Sequence, residues 1–386
     1  MKQLLLIPVA CLAIGLYGSS GLLSAADWPM FGFSPAGTRD NTSETKLDSS
    51  NVGQLQLKWA APVGYYPSTP AVVNGVLYVG ATGAVLALNA VTGKQLWSYT
   101  NVGRYAFASS PAVANGMVYI GSSDYNVYAL NANTGALVWK SPTAGAINYN
   151  SPVVVDGVVY ISTQIGQGQH GGRDGYVYAL DAKTGAQIWA FRTSGIIRST
   201  PAVAKGRLFI GAQNAVLYSL NAKTGKQIWS MATDNFVLGV SFASGIVYAG
   251  TSNGTLYAVD AITGTPIWTY ATGDSIDSVP AIANGAVYFG NARGKQAFAL
   301  DANTGAVLWR VGLGEVDCSA AVANGIVYVG AQSGNLAFYA LDASNGSVLW
   351  SYQVNQADFS SNSPIVVNGM VYFETDSGML AAFGLP

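Results

Sequence analysis

The stretch Ser109–Trp139, "SSPAVANGMVYIGSSDYNVYALNANTGALVW", holds four runs of strand-forming residues separated by three turn signals. Asn115-Gly116 joins the first two runs. This dipeptide favours the left-handed two-residue turn whose twist matches that of the flanking strands, so it marks a tight hairpin. The third run, "VYAL", ends at Asn131, whose side chain can accept backbone N–H bonds in the turn that follows. Gly135 supplies the positive φ that other residues avoid. The fourth run closes on Trp139. Read together, the stretch is a four-stranded antiparallel sheet.

The unit recurs along the chain with a period of about 40 residues, within the range of propeller blades. Its hairpin turn stands at Asn74-Gly75, Asn115-Gly116, Asp156-Gly157, Lys205-Gly206, Ser244-Gly245, Asn284-Gly285, Asn324-Gly325 and Asn368-Gly369. Its closing tryptophan recurs at Trp97, Trp139, Trp189, Trp229, Trp268, Trp309 and Trp350. No long 3.6-residue apolar pattern supports helical repeats. Four strands repeated at this spacing are the signature of a β-propeller. The hairpins outnumber these tryptophans by one. The missing one is Trp59, which ends "LQLKW" (Leu55–Trp59) ahead of the first full unit, whereas the last unit, "SPIVVNGMVYFETDSGMLAAFGLP", has none. The sequence thus predicts an all-β, eight-bladed β-propeller of four-stranded antiparallel blades, its amino-terminal strand completing the carboxy-terminal blade. Such closure removes two open sheet edges. All eight tryptophans, Trp59 included, are expected to be structural, packing between neighbouring blades.

Half of the 386 residues are apolar and 10% are charged, with a formal charge of −1. No basic stripe supports nucleic-acid binding. Residues 1–26 read as a secretory signal: Lys2, the apolar Leu4–Leu16, then Ser24-Ala25-Ala26 before Asp27. The expected organisation is signal 1–26, a segment 27–50 packing on the propeller, and the propeller 51–386. Export to the periplasm or the medium follows, with no transmembrane segment once the signal is removed. Cys11 leaves with the signal, so Cys318 has no intrachain disulfide partner and reads as a small buried side chain. The lone histidine, His170, lies in "GQGQHGGRDG" (166–175), an enlarged turn in the third blade, and cannot build a histidine-cluster metal site.

Function is expected where the repeats disagree. Residues just before each innermost strand ring one mouth of the disc, and they vary while packing positions repeat, as a site grafted on a symmetric scaffold requires. These are Tyr65 and Tyr66, then Arg104 and Tyr105, then Asn148, Tyr149 and Asn150, then Arg198 and Phe236. Acidic residues follow on the late blades: Asp274, Asp277, Glu315, Asp317 and Asp358. The aromatic and amide arc suits stacking on a small ligand; the carboxylates suit a cation such as calcium, or pairing with Arg104 or Arg198.

The unit "SPAVxNGxVYxG…VYALDAxTGxxxW" resembles the repeat of the pyrroloquinoline quinone (PQQ) enzyme β-propellers over nearly the whole chain after residue 26. Trp28-Pro29-Met30-Phe31-Gly32, Gly37-Thr38-Arg39, Asn51-Val52 and Leu57-Lys58-Trp59 resemble the start of secreted quinoprotein dehydrogenases such as the polyvinyl alcohol dehydrogenases. In size and regularity the chain is similar to the propeller lipoprotein of the outer-membrane β-barrel assembly machinery. The first resemblance implies PQQ and calcium, with Asp277, Glu315 or Asp317 as base and metal ligands. The second implies a protein partner in an envelope complex. The adjacent cysteines that roof the cofactor in many quinoproteins are absent, as are the long insertions that wall it. The leading expectation is a non-catalytic binding or scaffolding propeller taking a protein partner or small ligand on its loop face; the alternative is an alcohol or sugar dehydrogenase.

Overall fold

The computed structural model describes residues 27–386 apart from 101–105, 166–173, 333–336, 355–362 and 376–377. Its strands form eight four-stranded antiparallel sheets, each one blade. Blade 1 runs from the channel outward as Ala71–Val73, Val76–Ala81, Ala84–Asn89 and Gln95–Thr100. At the eight hairpins the first residue has φ between 46° and 58° and the following glycine also has positive φ. Both central residues are therefore left-handed, as the tight hairpin requires. Lys205 makes this turn without the short polar side chain that eases it elsewhere.

Blade 8 is built from both ends of the chain. Its inner strands are Ile365–Val367, Met370–Glu374 and Met379–Gly384, and its outermost strand is Gln56–Pro62. Trp59 lies opposite Ala382 and Ala61 opposite Leu380. The ring is closed by this shared sheet.

Each closing tryptophan reaches into the next blade. The indole Nε1 of Trp97 donates to the Ala132 carbonyl at 2.8 Å, that of Trp139 to Ala182 at 3.0 Å, and that of Trp59 to Ala90 at 3.1 Å. The indole lies flat on the turn glycine of that blade; a Cβ on Gly185 would stand 2.6 Å from the Trp139 ring. Tyrosines of the second strands share the same acceptors, Tyr372 Oη donating to Ala90 at 3.0 Å. Trp350 meets no such turn, because blade 8 takes its outer strand from the start of the chain. It donates instead to the Leu55 carbonyl at 3.0 Å, just after the 3₁₀ turn Val52–Gln54.

Segment 27–50 fills the centre of the ring. Val72 of blade 1 exchanges two backbone bonds with Trp28 (2.7 and 2.8 Å). Val113 of blade 2 then donates to the Pro29 carbonyl, Val203 of blade 4 to Pro35 and Phe242 of blade 5 to Ala36. Ile282 of blade 6 donates to Thr38 and Val322 of blade 7 to Arg39. Blade 8 is reached by the Asn41 side-chain amide, which donates to the Val366 carbonyl at 2.8 Å. Met30 packs with Val153 and Val154 of blade 3. The innermost strands would otherwise present their unpaired edges to the channel, and this segment satisfies them one blade at a time.

Arg39 is the hub of the plug. Its guanidinium is fully buried and donates to the carbonyls of Ala320 (2.7 Å), Pro364 (2.6 Å) and Phe31. Its Cζ also stands 4.7 Å from the Phe31 ring and 5.5 Å from Trp28. Further along, the Glu44 carboxylate accepts the Gly369 N–H at 2.9 Å, and Leu47 O accepts from Asn324. Both contacts reach the tight-hairpin face of the disc. The plug closes the channel from that side.

Candidate functional site

With one mouth plugged, the channel becomes a blind cup opening on the face where the chain crosses between blades. Its inner part has a volume of about 180 Å³, with Phe31 of the plug among its lining residues. The wall is made by strand periodicity. Counting back from the residue that opens each innermost strand (Pro111 in blade 2, Pro201 in blade 4), the third residue faces the cup. These are Ala108, Tyr149, Arg198, Leu238, Asp277 and Asp317 in blades 2 to 7. The residue immediately before the proline, or before its equivalent Ala320 in blade 7, faces the cup one layer deeper: Thr69, Ser110, Thr200, Val279, Ser319 and Ser363. The residue between the two points away, as alternation in extended chain demands. Ser68, Ser109 and Ser199 accept the N–H of Gly80, Gly121 and Gly211 in their own blades, and Cys318 Sγ does the same for Gly330 at 3.2 Å.

The deeper layer is a hydroxyl belt linked across blades. Ser110 N–H donates to Ser151 Oγ (3.2 Å), Ser151 N–H to Thr200 Oγ1 (3.1 Å), Ser319 N–H to Ser363 Oγ (2.9 Å) and Ser363 N–H to Thr69 Oγ1 (3.1 Å). Above it, charge is unevenly distributed. Asp317 is pushed up to about 6 by burial, and then by the nearby carboxylates of Asp277, Glu315 and Asp274. One of its oxygens is buried with no hydrogen-bond partner. Asp277 accepts from Ser275 Oγ. The Arg198 guanidinium lies over the Tyr149 ring, 6.0 Å from its centroid. Among the described residues the only ion pair joins Arg192 to Asp174, so none of them neutralises Arg198, Asp277 or Asp317.

The seam between blades 8 and 1 departs from the other blades. Elsewhere an apolar residue just before the cup-facing position, or two before it in blade 3, is fully buried: Phe107, Ile147, Ile197, Val237, Ile276 and Val316. Several of these abut a glycine of the preceding blade, Phe107 against Gly80 and Ile276 against Gly250. In blade 1 this position is Tyr66, left-handed at φ 50° and 67% exposed. The matching glycine position in blade 8 is Glu374, fully buried, with neither carboxylate oxygen hydrogen-bonded. Burial holds its pKa well above the usual carboxylate range, against the opposing pull of Arg39. A carboxyl harder to ionise in the folded than in the unfolded chain contributes stability in acid. That contribution is lost as pH rises past the unfolded value of 4.5. Glu374→Gln is therefore expected to raise the melting temperature at pH 8 and to lose its advantage towards pH 4, as melting curves across that range would show.

Of the residues singled out in the sequence, the structure brings Tyr149, Arg198, Asp277 and Asp317 into one cup. Tyr65 and Tyr66 are exposed beside the seam, and Phe236 is exposed in blade 5; none of them lines the cup. Asn148 is half-buried and Glu315 lies beside Asp317 without lining the cup. Asn150 is a different case: it is fully buried and its amide donates to Ser162 Oγ (2.6 Å) and the Ile197 carbonyl (2.9 Å), joining blades 3 and 4. Arg104, Tyr105, Asp358 and His170 lie outside the described residues. The sequence reading passed over Phe31, Leu238 and the hydroxyl belt. Aligning the blades on the innermost strand and taking every second residue back would have found the last two. Nothing local marks Phe31.

The fold and the cup can now be set against known proteins. A family model described as outer membrane protein assembly factor BamB matches residues 42–169, 173–298 and 296–384. The chain belongs to this family of PQQ-like propellers. The fold is similar to that of BamB from Moraxella catarrhalis, at TM-score 0.69 and 18% identity over 86% of this chain and 98% of that one. Stretches of sequence also match tetrathionate hydrolase of Acidithiobacillus ferrooxidans and the dehydrogenase subunit of the quinone alcohol dehydrogenase of Gluconobacter oxydans. The first is 32% identical over 120 residues, 30% of this chain and 24% of the relative. The second is 29% identical over 152 residues, 35% of this chain and 20% of the relative. The matches span about a quarter or less of those relatives. Similarity thus extends to proteins named as a hydrolase, a dehydrogenase and an assembly factor, so the function of this member must be argued from its cup.

The side chains among the described residues do not form a calcium site. Calcium takes six to eight oxygen ligands, several from carboxylates. No three acidic, histidine or cysteine side chains among the described residues stand close enough together to hold a metal ion. Cys318 is buried and free, so it makes no disulfide roof.

Proposed function

We propose that this BamB-like propeller is a non-catalytic binding protein whose working surface is the crossing-loop face, with the blind cup as its small-ligand site. One observation carries the reading. Six equivalent wall positions hold five residue types, Ala108, Tyr149, Arg198, Leu238, Asp277 and Asp317, whereas the residues on either side of them are buried, Asn148 excepted. Side chains free to differ on a symmetric scaffold supply specificity; side chains that repeat supply packing. The cup is also sized for a small molecule and lined by both charged and apolar groups. Export through the signal at 1–26 and service in the cell envelope accord with the family description.

The competing reading is an alcohol dehydrogenase, which the Gluconobacter relative and the raised carboxyl of Asp317 favour. A carboxylate titrating near 6 suits a general base. The two separate in one set of measurements. A thermal-shift screen of small polar compounds should yield stabilising ligands for the wild type and none for Ala108→Trp, whose indole would fill the cup. Addition of PQQ and Ca²⁺ should neither raise the melting temperature nor support dye reduction with alcohols. Dye reduction would replace the binding reading with the enzymatic one.

A further inference from the structure

The cup presents opposite charges that form no ion pair among the described residues. Asp277 and Asp317 face it from blades 6 and 7, and Arg198 faces it from blade 4. The guanidinium lies over the ring of Tyr149 of blade 3 and forms no ion pair with either carboxylate. Three arrangements of ligand charge can be compared. A simple anion would meet the two carboxylates with only Arg198 to offset them. A divalent metal needs a convergent ligand set, which these carboxylates do not make. A ligand carrying both signs satisfies each wall at once. The hydroxyl belt beneath adds donors, since each linked oxygen already accepts a backbone N–H and retains its own proton to give. Leu238 and Phe31 offer apolar surface for the remainder of the molecule.

We infer that the cup recognises a small zwitterion of the amino-acid class, its ammonium against Asp277 and Asp317 and its carboxylate against Arg198 and the hydroxyl belt. This rests on the reading of the cup as a small-ligand site. An inner volume of about 180 Å³ admits a free amino acid and is too small for a folded partner. An ammonium group at Asp317 meets a carboxylate that lines the cup and has one buried oxygen without a donor. A buried acceptor without a donor is costly, and a charged N–H donor is the strongest remedy.

The test uses three probes of one shape on the purified chain by titration calorimetry: L-leucine, 3-methylbutylamine, which lacks its carboxylate, and 4-methylpentanoate, which lacks its amine. Leucine is expected to bind at least tenfold more tightly than the amine, and the carboxylate not measurably. Asp317→Asn should weaken leucine and the amine alike by about tenfold, and Arg198→Gln should weaken leucine while leaving the amine unchanged. Melting curves confirm that both variants fold. Equal binding of leucine and the amine, or insensitivity of leucine to Arg198→Gln, overturns the zwitterion. If leucine is inert while another compound binds the wild type and not Ala108→Trp, the amino-acid class falls and the cup remains a binding site. If Ala108→Trp alters the binding of no compound, the cup reading itself falls.

Discussion

Trp59→Ala is expected to destabilise the protein by about 3 kcal/mol, the lower end for removal of a tryptophan since the ring is only partly buried. The loss should match that of Trp229→Ala to within about 1 kcal/mol, the usual spread between equivalent sites. The two sites are alike in geometry. Trp229 Nε1 donates to the Ala261 carbonyl at 3.1 Å, as Trp59 does to Ala90, and each indole lies on a left-handed turn glycine, Gly264 and Gly93. Yet Trp59 lies outside every complete repeat, and its strand is held by Met379–Gly384 at the far end of the chain. Chemical denaturation of both variants measures the comparison. A near-neutral Trp59→Ala beside a costly Trp229→Ala would mean that the seam blade is not held as the others are.

Arg39→Ala is expected to cost about 3–5 kcal/mol, the range for breaking a buried polar network and leaving a cavity. Three carbonyls, from the plug and from blades 7 and 8, lose their donor, and two aromatic faces lose a cation. Burial itself lowers the guanidinium pKa to about 9, with Cys318 and Glu374 pulling it back up, so the group remains charged at neutral pH. Desolvating that charge offsets part of what its hydrogen bonds contribute, which keeps the expected loss below the sum of the bonds. Lys46→Ala, on the same segment but exposed and with one long contact to Asn368, should be nearly neutral. Equal, small losses for both would show that the plug is a passenger in the channel.

Cup-facing and packing side chains thus alternate along the same short segments. In blade 4, Ser199 accepts the N–H of Gly211 and fixes the segment, while Arg198 and Thr200 on either side face the cup. In blade 3 the same alternation separates Asn150, which joins two blades, from Tyr149, which stands free. Both asparagine and tyrosine look like binding residues in the sequence. Only the direction of each side chain tells them apart.

The sequence by itself determined the blades and their number. Asn-Gly turns, alternating strands and a recurring tryptophan are local signals, each acting within a few residues, and eight copies of them leave one strand unmatched at either end. Closure through Leu55–Trp59 follows from that count. Only the tertiary structure decided that the centre is blind. Segment 27–50 binds the innermost strands chiefly through its backbone carbonyls, a mode of attachment that writes no periodicity into the side chains. Arg39 binds carbonyls brought together from positions 31, 320 and 364, a set that exists only once the ring has closed. The plug makes a cup of a channel, and the cup in turn decides which of the variable crossing residues face its interior.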